Sequence, residues 1–158
     1  MIGIILAAGD GTRFKKSSDK ENCKMLSTIN GKFLLEFALD NLKTLDVTTA
    51  FVVVGECAET IKKEIGYKYN GITVHYVNQP VRKGMINALI QAVKIIAADD
   101  IVLQLADEIF IDFRSDEVIR TINENKNYFM CGITYEKDLE NRWRNPDWSV
   151  HIPLRKYR

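Results

Sequence analysis

The sequence is poor in the features that mark several large classes of protein. Its three cysteines, at positions 23, 57 and 131, are an odd number without a CxxC pair, which predicts reduced thiols rather than a disulfide framework or a zinc site. The formal net charge is only +1, so no excess of one sign attracts nucleic acid or an anionic membrane. The apolar run Ile2–Ala8 has no basic flank and is too short for a signal peptide or a membrane span. We therefore expect a cytoplasmic protein with no nucleic-acid or membrane partner.

What the chain does contain is typical of one globular domain. Hydrophobic residues make up 46% and charged residues 27% of 158 residues, which is enough chain to bury a sizeable core. Short apolar runs rich in β-branched residues predict strands, and apolar residues at helical spacing predict the segments between them as helices. The predicted strands are 2–8, 49–55, 71–79, 100–110 with its exit loop, 127–136 and 148–152; the predicted helices are 31–45, 57–66, 84–98 and 115–125.

This order of strands and helices predicts an α/β protein. A strand, a helix and the next strand connect most simply in a mainly parallel sheet with helices on both faces, a three-layer, Rossmann-like αβα arrangement. Ligands of such sheets bind outside the carboxyl ends of the strands, where the strand order reverses. The candidate site therefore lies in the segments that follow the strands, "AAGDGTR", "GECAE", "NQPVRKG" and "ADEIF".

The segment after the first strand has the chemistry of an anion-binding loop. Gly9 and Gly11 allow positive φ angles and a close approach of backbone N–H groups to a ligand, and Arg13 adds a planar set of donors. The dinucleotide pattern GxGxxG fails because Phe14 stands at its third glycine, and the phosphate-loop pattern GxxxxGK[ST] also fails. For a lone GxG, a tight strand-to-helix turn with solvated basic residues would be the favoured interpretation.

The longer string around these glycines resembles a known family. "LAAGDGTR", residues 6–13, matches the LAAGxGTR signature of the sugar-phosphate nucleotidylyltransferases at every fixed position. Downstream, "CKMLSTINGKFLLEFALDNL", "VVVGECAETIKKEIG", "NQPVRKGMINALIQA" and "VLQLADEIF" resemble later segments of that family in the same order. The resemblance covers about residues 2–112 and is nearest to the uridylyl- and thymidylyltransferases. It implies the nucleotide-diphospho-sugar transferase fold, here without the family's C-terminal part.

The resemblance also implies a reaction. Members transfer a nucleoside monophosphate from a nucleoside triphosphate to a sugar 1-phosphate and release pyrophosphate, with Mg²⁺ as cofactor. Because the attacking phosphate oxygen is already anionic, the site must mainly position the reactants and neutralise their charge. By resemblance, Arg13 and Lys24 are the catalytic cations, and Asp107 is the metal ligand. The implied partners are a nucleoside triphosphate and a phosphorylated small-molecule acceptor; a homo-oligomer is left open.

The remaining site residues follow from the same motifs. Gln79 resembles the glutamine that contacts the pyrimidine edge, and Gly84 the glycine that lets the backbone approach the base. The implied nucleotide-binding residues are Leu6, Ala7, Ala8, Gly9, Gly11, Thr12, Gln79 and Gly84. Taken singly, each has a plainer interpretation as a strand end, a turn, a helix start or a solvated side chain. We interpret them as a site because they occur together and in order.

Three departures from the family pattern keep alternatives open. Cys23 replaces the proline before the lysine, and Ala106 replaces the glycine before the metal aspartate. The sequence to residue 158 offers no candidate for the family's second metal-binding Asp or Asn. We predict one domain, with a nucleotide-binding part at 1–112 and the start of an acceptor-binding part at 113–158. The alternatives are a catalytically incomplete nucleotide-binding or regulatory subunit, or cytidylyl or guanylyl transfer to a non-sugar acceptor.

Overall fold

A computed structural model describes residues 1–9, 23–81, 83–97, 100–110 and 113–124. The segment with Gly11, Thr12 and Arg13 and the predicted strands 127–136 and 148–152 lie outside the described residues. Within the described residues the longer strands are β1 (Ile2–Ala7), β4 (Thr49–Val54), β6 (Ile72–Asn78) and β7 (Ile101–Leu105). The helices are α1 (Leu34–Thr44), α2 (Ala58–Ile65), α3 (Gly84–Val93) and α4 (Ser115–Glu124).

The strands form the expected parallel sheet. Its order is β5-β6-β4-β1-β7, in which the four longer strands run parallel and β5 (Lys68–Tyr69) pairs antiparallel at one edge. The chain moves from β1 to β4 and β6 on one side and then returns to place β7 on the other side of β1. The strand order therefore reverses between β1 and β7, and the carboxyl ends of these two strands border the crevice where an α/β sheet binds its ligand.

Helices cover both faces of this sheet because alternate residues of each buried strand face opposite sides. On one face, Ile4 and Val53 pack in a cluster with Ala88 and Ala92 of α3. On the other face, α1 lies so close to β1 that a Cβ at Gly3 would clash with the side chain of Leu42. The predicted αβα layering is confirmed.

Two tight hairpins were not predicted. Strands β2 (Thr28–Ile29) and β3 (Lys32–Phe33) pair around Asn30 and Gly31, whose φ angles are 51° and 78°. Strands β5 and β6 are joined in the same way by Asn70 and Gly71, with φ angles of 44° and 85°. Positive φ at both central residues is the requirement of a type I′ hairpin turn, which Asn-Gly satisfies best. The first hairpin occupies 31–33, where the sequence pattern predicted helix, so α1 begins only at Leu34.

The chain divides into two compact units, Met1–Ser115 and Asp116–Arg158. The first contains the parallel sheet with α1, α2 and α3; of the second, the described residues form nearly all of α4. The prediction of one domain with a nucleotide-binding part ending at residue 112 stays a prediction. In the described part of the chain, no helix is both long and apolar enough to cross a membrane.

Candidate nucleotide-binding site

The carboxyl ends of the parallel strands collect most of the predicted site residues that the structure describes. Backbone bonds continue the sheet beyond its strands, since the N–H of Gln79 donates to the carbonyl of Val54 at 2.9 Å and that of Ala106 to the carbonyl of Leu6 at 3.1 Å. These bonds hold the segments that leave β6 and β7 beside those that leave β4 and β1. The backbone of Gln79, and that of Ala106 directly before Asp107, is thus held by hydrogen bonds at the carboxyl edge of the sheet.

The end of β1 is apolar up to the point where the chain emerges. Ala7 and Ala8 are buried, with 4% and 8% of their surfaces exposed. Leu6 packs against the cluster that contains Ala88 and Ala92 of α3, and Gly9 is exposed. Gly9, which as a glycine could adopt a positive φ, does not do so in this structure. A Cβ at Gly9 would meet no described atom within 4 Å, so packing does not require glycine there. Among the described residues, none therefore blocks the approach of a ligand to the backbone at Gly9.

Lys24 and Asp107 form an ion pair at the strand-order reversal. Lys24 opens a short 3-10 turn (Lys24–Leu26), and Asp107 lies two residues beyond β7; the Lys24 Nζ donates to Asp107 Oδ2. The two side chains are 33% and 38% exposed, so water and other ions can reach both groups. Residues 83 positions apart in the sequence are thereby joined at the place where the topology predicts a ligand. We call Lys24 and Asp107 the phosphate-side pair.

The neighbours of this pair differ sharply in polarity. Cys23 is buried, and its burial, together with the adjacent thiol of Cys57, raises the pKa of Cys23 to about 12. On the other side, partial desolvation and the negative charge of Asp107 raise the pKa of Glu108 above its ordinary value. Cys23 therefore stays a neutral thiol at physiological pH and packs in the core next to Lys24.

Asp107 meets the minimum requirement for a magnesium ligand. A carboxylate is a hard oxygen donor, and Mg²⁺ in nucleotide enzymes is commonly held by one or two carboxylates together with substrate phosphates. Among the described residues, no group of three or more His, Cys, Asp or Glu is arranged to hold a metal. By its chemistry, the carboxylate of Asp107 fits an ion that takes further ligands from a bound triphosphate.

Gln79 and Gly84 meet in a second polar group at the end of β6. Gln79 is 6% exposed, and its Nε2 donates to the carbonyl oxygen of Gly84 at 3.2 Å and to Asn87 Oδ1 at 3.1 Å. Gly84 has a φ of 81°, so any other residue would be strained at this helix start even without a ligand. We call Gln79, Gly84 and Asn87 the base-side cluster.

Asn87 was missed in the sequence. The sequence feature that could have identified it is a carboxamide side chain in the first turn of α3, a helix that is otherwise apolar apart from Gln91. In an apolar helix, a half-buried polar side chain needs a partner, and here the partner is eight residues earlier in the chain.

The comparisons with known proteins agree with this architecture. A glucose-1-phosphate thymidylyltransferase from Bacillus anthracis, crystallised in complex with sucrose, superimposes with a TM-score of 0.70 at 25% identity, over 81% of this chain and 53% of that one. The parallel sheet and its carboxyl-edge site thus define an α/β protein of the nucleotide-diphospho-sugar transferase fold. The chain belongs to the Nucleotidyl transferase family, which it matches over residues 2–142.

Two curated relatives show how much of the family this chain spans. It is 33% identical over 110 residues to the UTP–glucose-1-phosphate uridylyltransferase AglF of Haloferax volcanii, covering 70% of this chain and 44% of the relative. It is 30% identical over 150 residues to the bifunctional protein GlmU of Blochmanniella pennsylvanica, covering 93% of this chain and 32% of that protein. The chain therefore spans less than half the length of either relative.

Proposed function

We propose that this chain binds a nucleoside triphosphate at the carboxyl edge of its sheet and transfers the nucleoside monophosphate to a sugar 1-phosphate or a similar phosphorylated acceptor, releasing pyrophosphate. The observation that carries the proposal is the phosphate-side pair. Two separate sequence motifs gave Lys24 as a catalytic cation and Asp107 as a metal ligand. The side chains of these two residues contact each other where the strand order reverses. Relatives described as uridylyl- and thymidylyltransferases support the reaction class.

The residues divide the work as follows. Lys24 neutralises the phosphate oxygens that gain charge during transfer, and Arg13, outside the described residues, holds the β- and γ-phosphates and the departing pyrophosphate. Asp107 would hold Mg²⁺, which supplies charge neutralisation across the triphosphate. The backbone from Leu6 to Gly9, continued by Gly11 and Thr12, contacts the nucleotide, with Gln79 and Gly84 on the base. The expected compartment is the cytoplasm, supported by the free thiols of Cys23 and Cys57.

A pyrophosphate-release assay tests the proposal. The chain is incubated with Mg²⁺, UTP or dTTP, and glucose 1-phosphate or N-acetylglucosamine 1-phosphate, and the nucleotide sugar is identified by mass spectrometry. Turnover that requires the acceptor supports the transferase. Lys24→Ala is expected to lower the rate at least about 100-fold, since a charge-assisted contact made mainly in the transition state is lost. Lys63→Ala, an exposed lysine of α2, is the matched control.

The second candidate is a subunit that binds nucleotide without turnover. The number of metal ligands favours this candidate, because the described residues contain no group of three or more His, Cys, Asp or Glu that could hold a metal ion. Isothermal titration calorimetry separates the candidates: nucleotide binding without pyrophosphate release in any substrate pair selects the second. Absence of binding by every nucleoside triphosphate would reject both.

A further inference from the structure

The carboxamide of Gln79 is held in one orientation by the chemistry of its neighbours. Its Nε2 lies 3.2 Å from the carbonyl oxygen of Gly84. A backbone carbonyl can only accept a hydrogen bond, so the atom facing it must be the amide nitrogen. A flipped amide would set two acceptor oxygens against each other, which removes the usual ambiguity between the oxygen and nitrogen of a glutamine.

Asn87 completes this arrangement. Its Oδ1 lies 3.1 Å from the same Nε2, so it accepts the second of the two amide hydrogens. Asn87 follows Gly84 by three residues in α3, and this spacing brings the Gly84 carbonyl and the Asn87 side chain to one side of the helix start. Both donors of Gln79 are thereby used inside the protein. The carbonyl oxygen Oε1, engaged by neither bond, is the group that Gln79 can offer to a ligand.

A fixed acceptor at this position distinguishes between pyrimidines. Uracil and thymine carry a hydrogen on N3 and can donate it to Oε1, whereas N3 of cytosine is an acceptor that would face the oxygen with its lone pair. A glutamine free to rotate could turn its nitrogen toward cytosine. Rotation here would break both bonds of a side chain that is 6% exposed, leaving buried polar groups unpaired.

We propose that Asn87 is a specificity-determining positioning residue: it holds the Gln79 amide so that the site accepts a uracil or thymine nucleotide and disfavours cytosine. This inference rests on the proposed function, since it requires that Gln79 contacts the base. It goes beyond that function by assigning the choice between pyrimidines to Asn87, a residue that does not itself need to touch the nucleotide.

The experiment measures dissociation constants of UTP and CTP by calorimetry for four proteins. The parent is expected to bind UTP about tenfold or more tightly than CTP. Asn87→Leu should reduce that ratio by about five- to tenfold, the value of one buried hydrogen bond. Asn87→Asp should preserve the ratio, because a carboxylate oxygen accepts the same bond and an acid in the first turn of a helix is tolerated. Gln91→Leu, one turn further along α3, is the matched control and should leave the ratio unchanged.

A second measurement does not depend on nucleotide affinity. In ¹⁵N-labelled protein, the Gln79 side-chain amide hydrogens should exchange slowly with solvent in the parent and in Asn87→Asp, and faster in Asn87→Leu. Circular dichroism confirms that each variant is folded.

The outcomes separate the two proposals. An unchanged UTP-to-CTP ratio in Asn87→Leu, a collapse of the ratio in Asn87→Asp, or a parent that binds CTP as well as UTP would overturn this inference while nucleotide binding itself stands. Failure of the parent to bind any nucleoside triphosphate would overturn the proposed function and this inference with it.

Discussion

The phosphate-side pair and the base-side cluster lie at the same edge of the sheet, yet they are built on opposite principles. The pair consists of two opposite charges that are each about one-third exposed and that contact one another. The cluster consists of a neutral amide that is 6% exposed and has both hydrogens committed to defined acceptors. Charges in contact with water can exchange partners at little cost, while a buried amide cannot change its orientation without losing hydrogen bonds.

This difference matches what each end of a nucleotide demands. A triphosphate carries much charge and similar shape in every nucleotide, so binding it needs cations and a metal rather than discrimination. A base carries little charge and differs between nucleotides in its donors and acceptors, so recognising it needs groups with a fixed orientation. We expect affinity to come mainly from the phosphate side and selectivity from the base side. Each experiment below tests whether the two can be separated.

Removing the carboxylate proposed to hold the metal should have the largest effect. Asp107→Ala is expected to abolish the Mg²⁺ dependence of nucleotide binding, and of turnover where it occurs, because the proposed function assigns Mg²⁺ to this carboxylate. Calorimetry with UTP in the presence and absence of Mg²⁺ measures this dependence. Asp100→Ala is the matched control, since Asp100 is an exposed acid at the opposite end of β7. Equal metal dependence in the Asp107 variant and the parent would remove Asp107 from the site.

Arg13 should affect the phosphates alone. Arg13→Ala is expected to weaken UTP binding about 10- to 100-fold, the value of hydrogen bonds to a charged group, and to weaken UMP far less. Arg13→Lys keeps the charge without the planar donor set and should fall between the parent and the alanine variant. Gly11→Val should instead weaken both nucleotides, because a side chain there blocks the close approach of the backbone.

The ratio of UTP to CTP affinities sharpens this test. This ratio should stay constant in the Arg13 variants, because the changed side chain is proposed to contact the phosphates and not the base. An Arg13→Ala protein that binds UTP as well as the parent would contradict the assignment of "AAGDGTR" as a triphosphate-binding loop.

The sequence predicted the features that depend on regular patterns. The four parallel strands are continuous apolar runs, and their helices have apolar residues at helical spacing, so the αβα fold followed from periodicity. The hairpins around Asn30-Gly31 and Asn70-Gly71 were missed because strands of two residues have no periodicity, although the Asn-Gly pairs themselves were a signal. Asn87 was missed for a different reason, since its contact with Gln79 depends on the turn between them and on the positive φ of Gly84.

Salt should separate the two regions without any mutation. Raising the NaCl concentration from about 0.05 M to about 0.5 M screens exposed charges and is expected to weaken UTP binding about tenfold. The ratio of UTP to CTP affinities should change by less than about twofold, since the base-side contacts are between neutral groups and Gln79 is buried. Calorimetry at constant free Mg²⁺ measures both quantities. A selectivity that falls in parallel with affinity would mean that the base is discriminated through charge after all.

The smallest effect is expected from a bond that lies outside both regions. Tyr76, on β6 three residues before Gln79, donates its hydroxyl hydrogen to the carbonyl oxygen of Gly66 at 2.5 Å. Tyr76→Phe removes one neutral hydrogen bond and should lower the free energy of unfolding by about 0.5–1.5 kcal/mol. Urea denaturation followed by circular dichroism measures this loss. The ratio of UTP to CTP affinities should not change, because the bonds that orient Gln79 are local to residues 79–87.

The pH dependence of that stability adds an internal check. Burial, with a smaller contribution from Tyr67, raises the pKa of Tyr76 to about 12, above the ordinary value of 10.0 for tyrosine. Since the folded protein binds this proton more tightly than the unfolded chain, the contribution of Tyr76 is fully present below about pH 10 and is lost as the pH rises toward 12. The difference in unfolding free energy between the parent and Tyr76→Phe should therefore shrink across that interval. A selectivity loss in Tyr76→Phe at neutral pH would show that the orientation of Gln79 depends on the stability of β6, and not only on the bonds within residues 79–87.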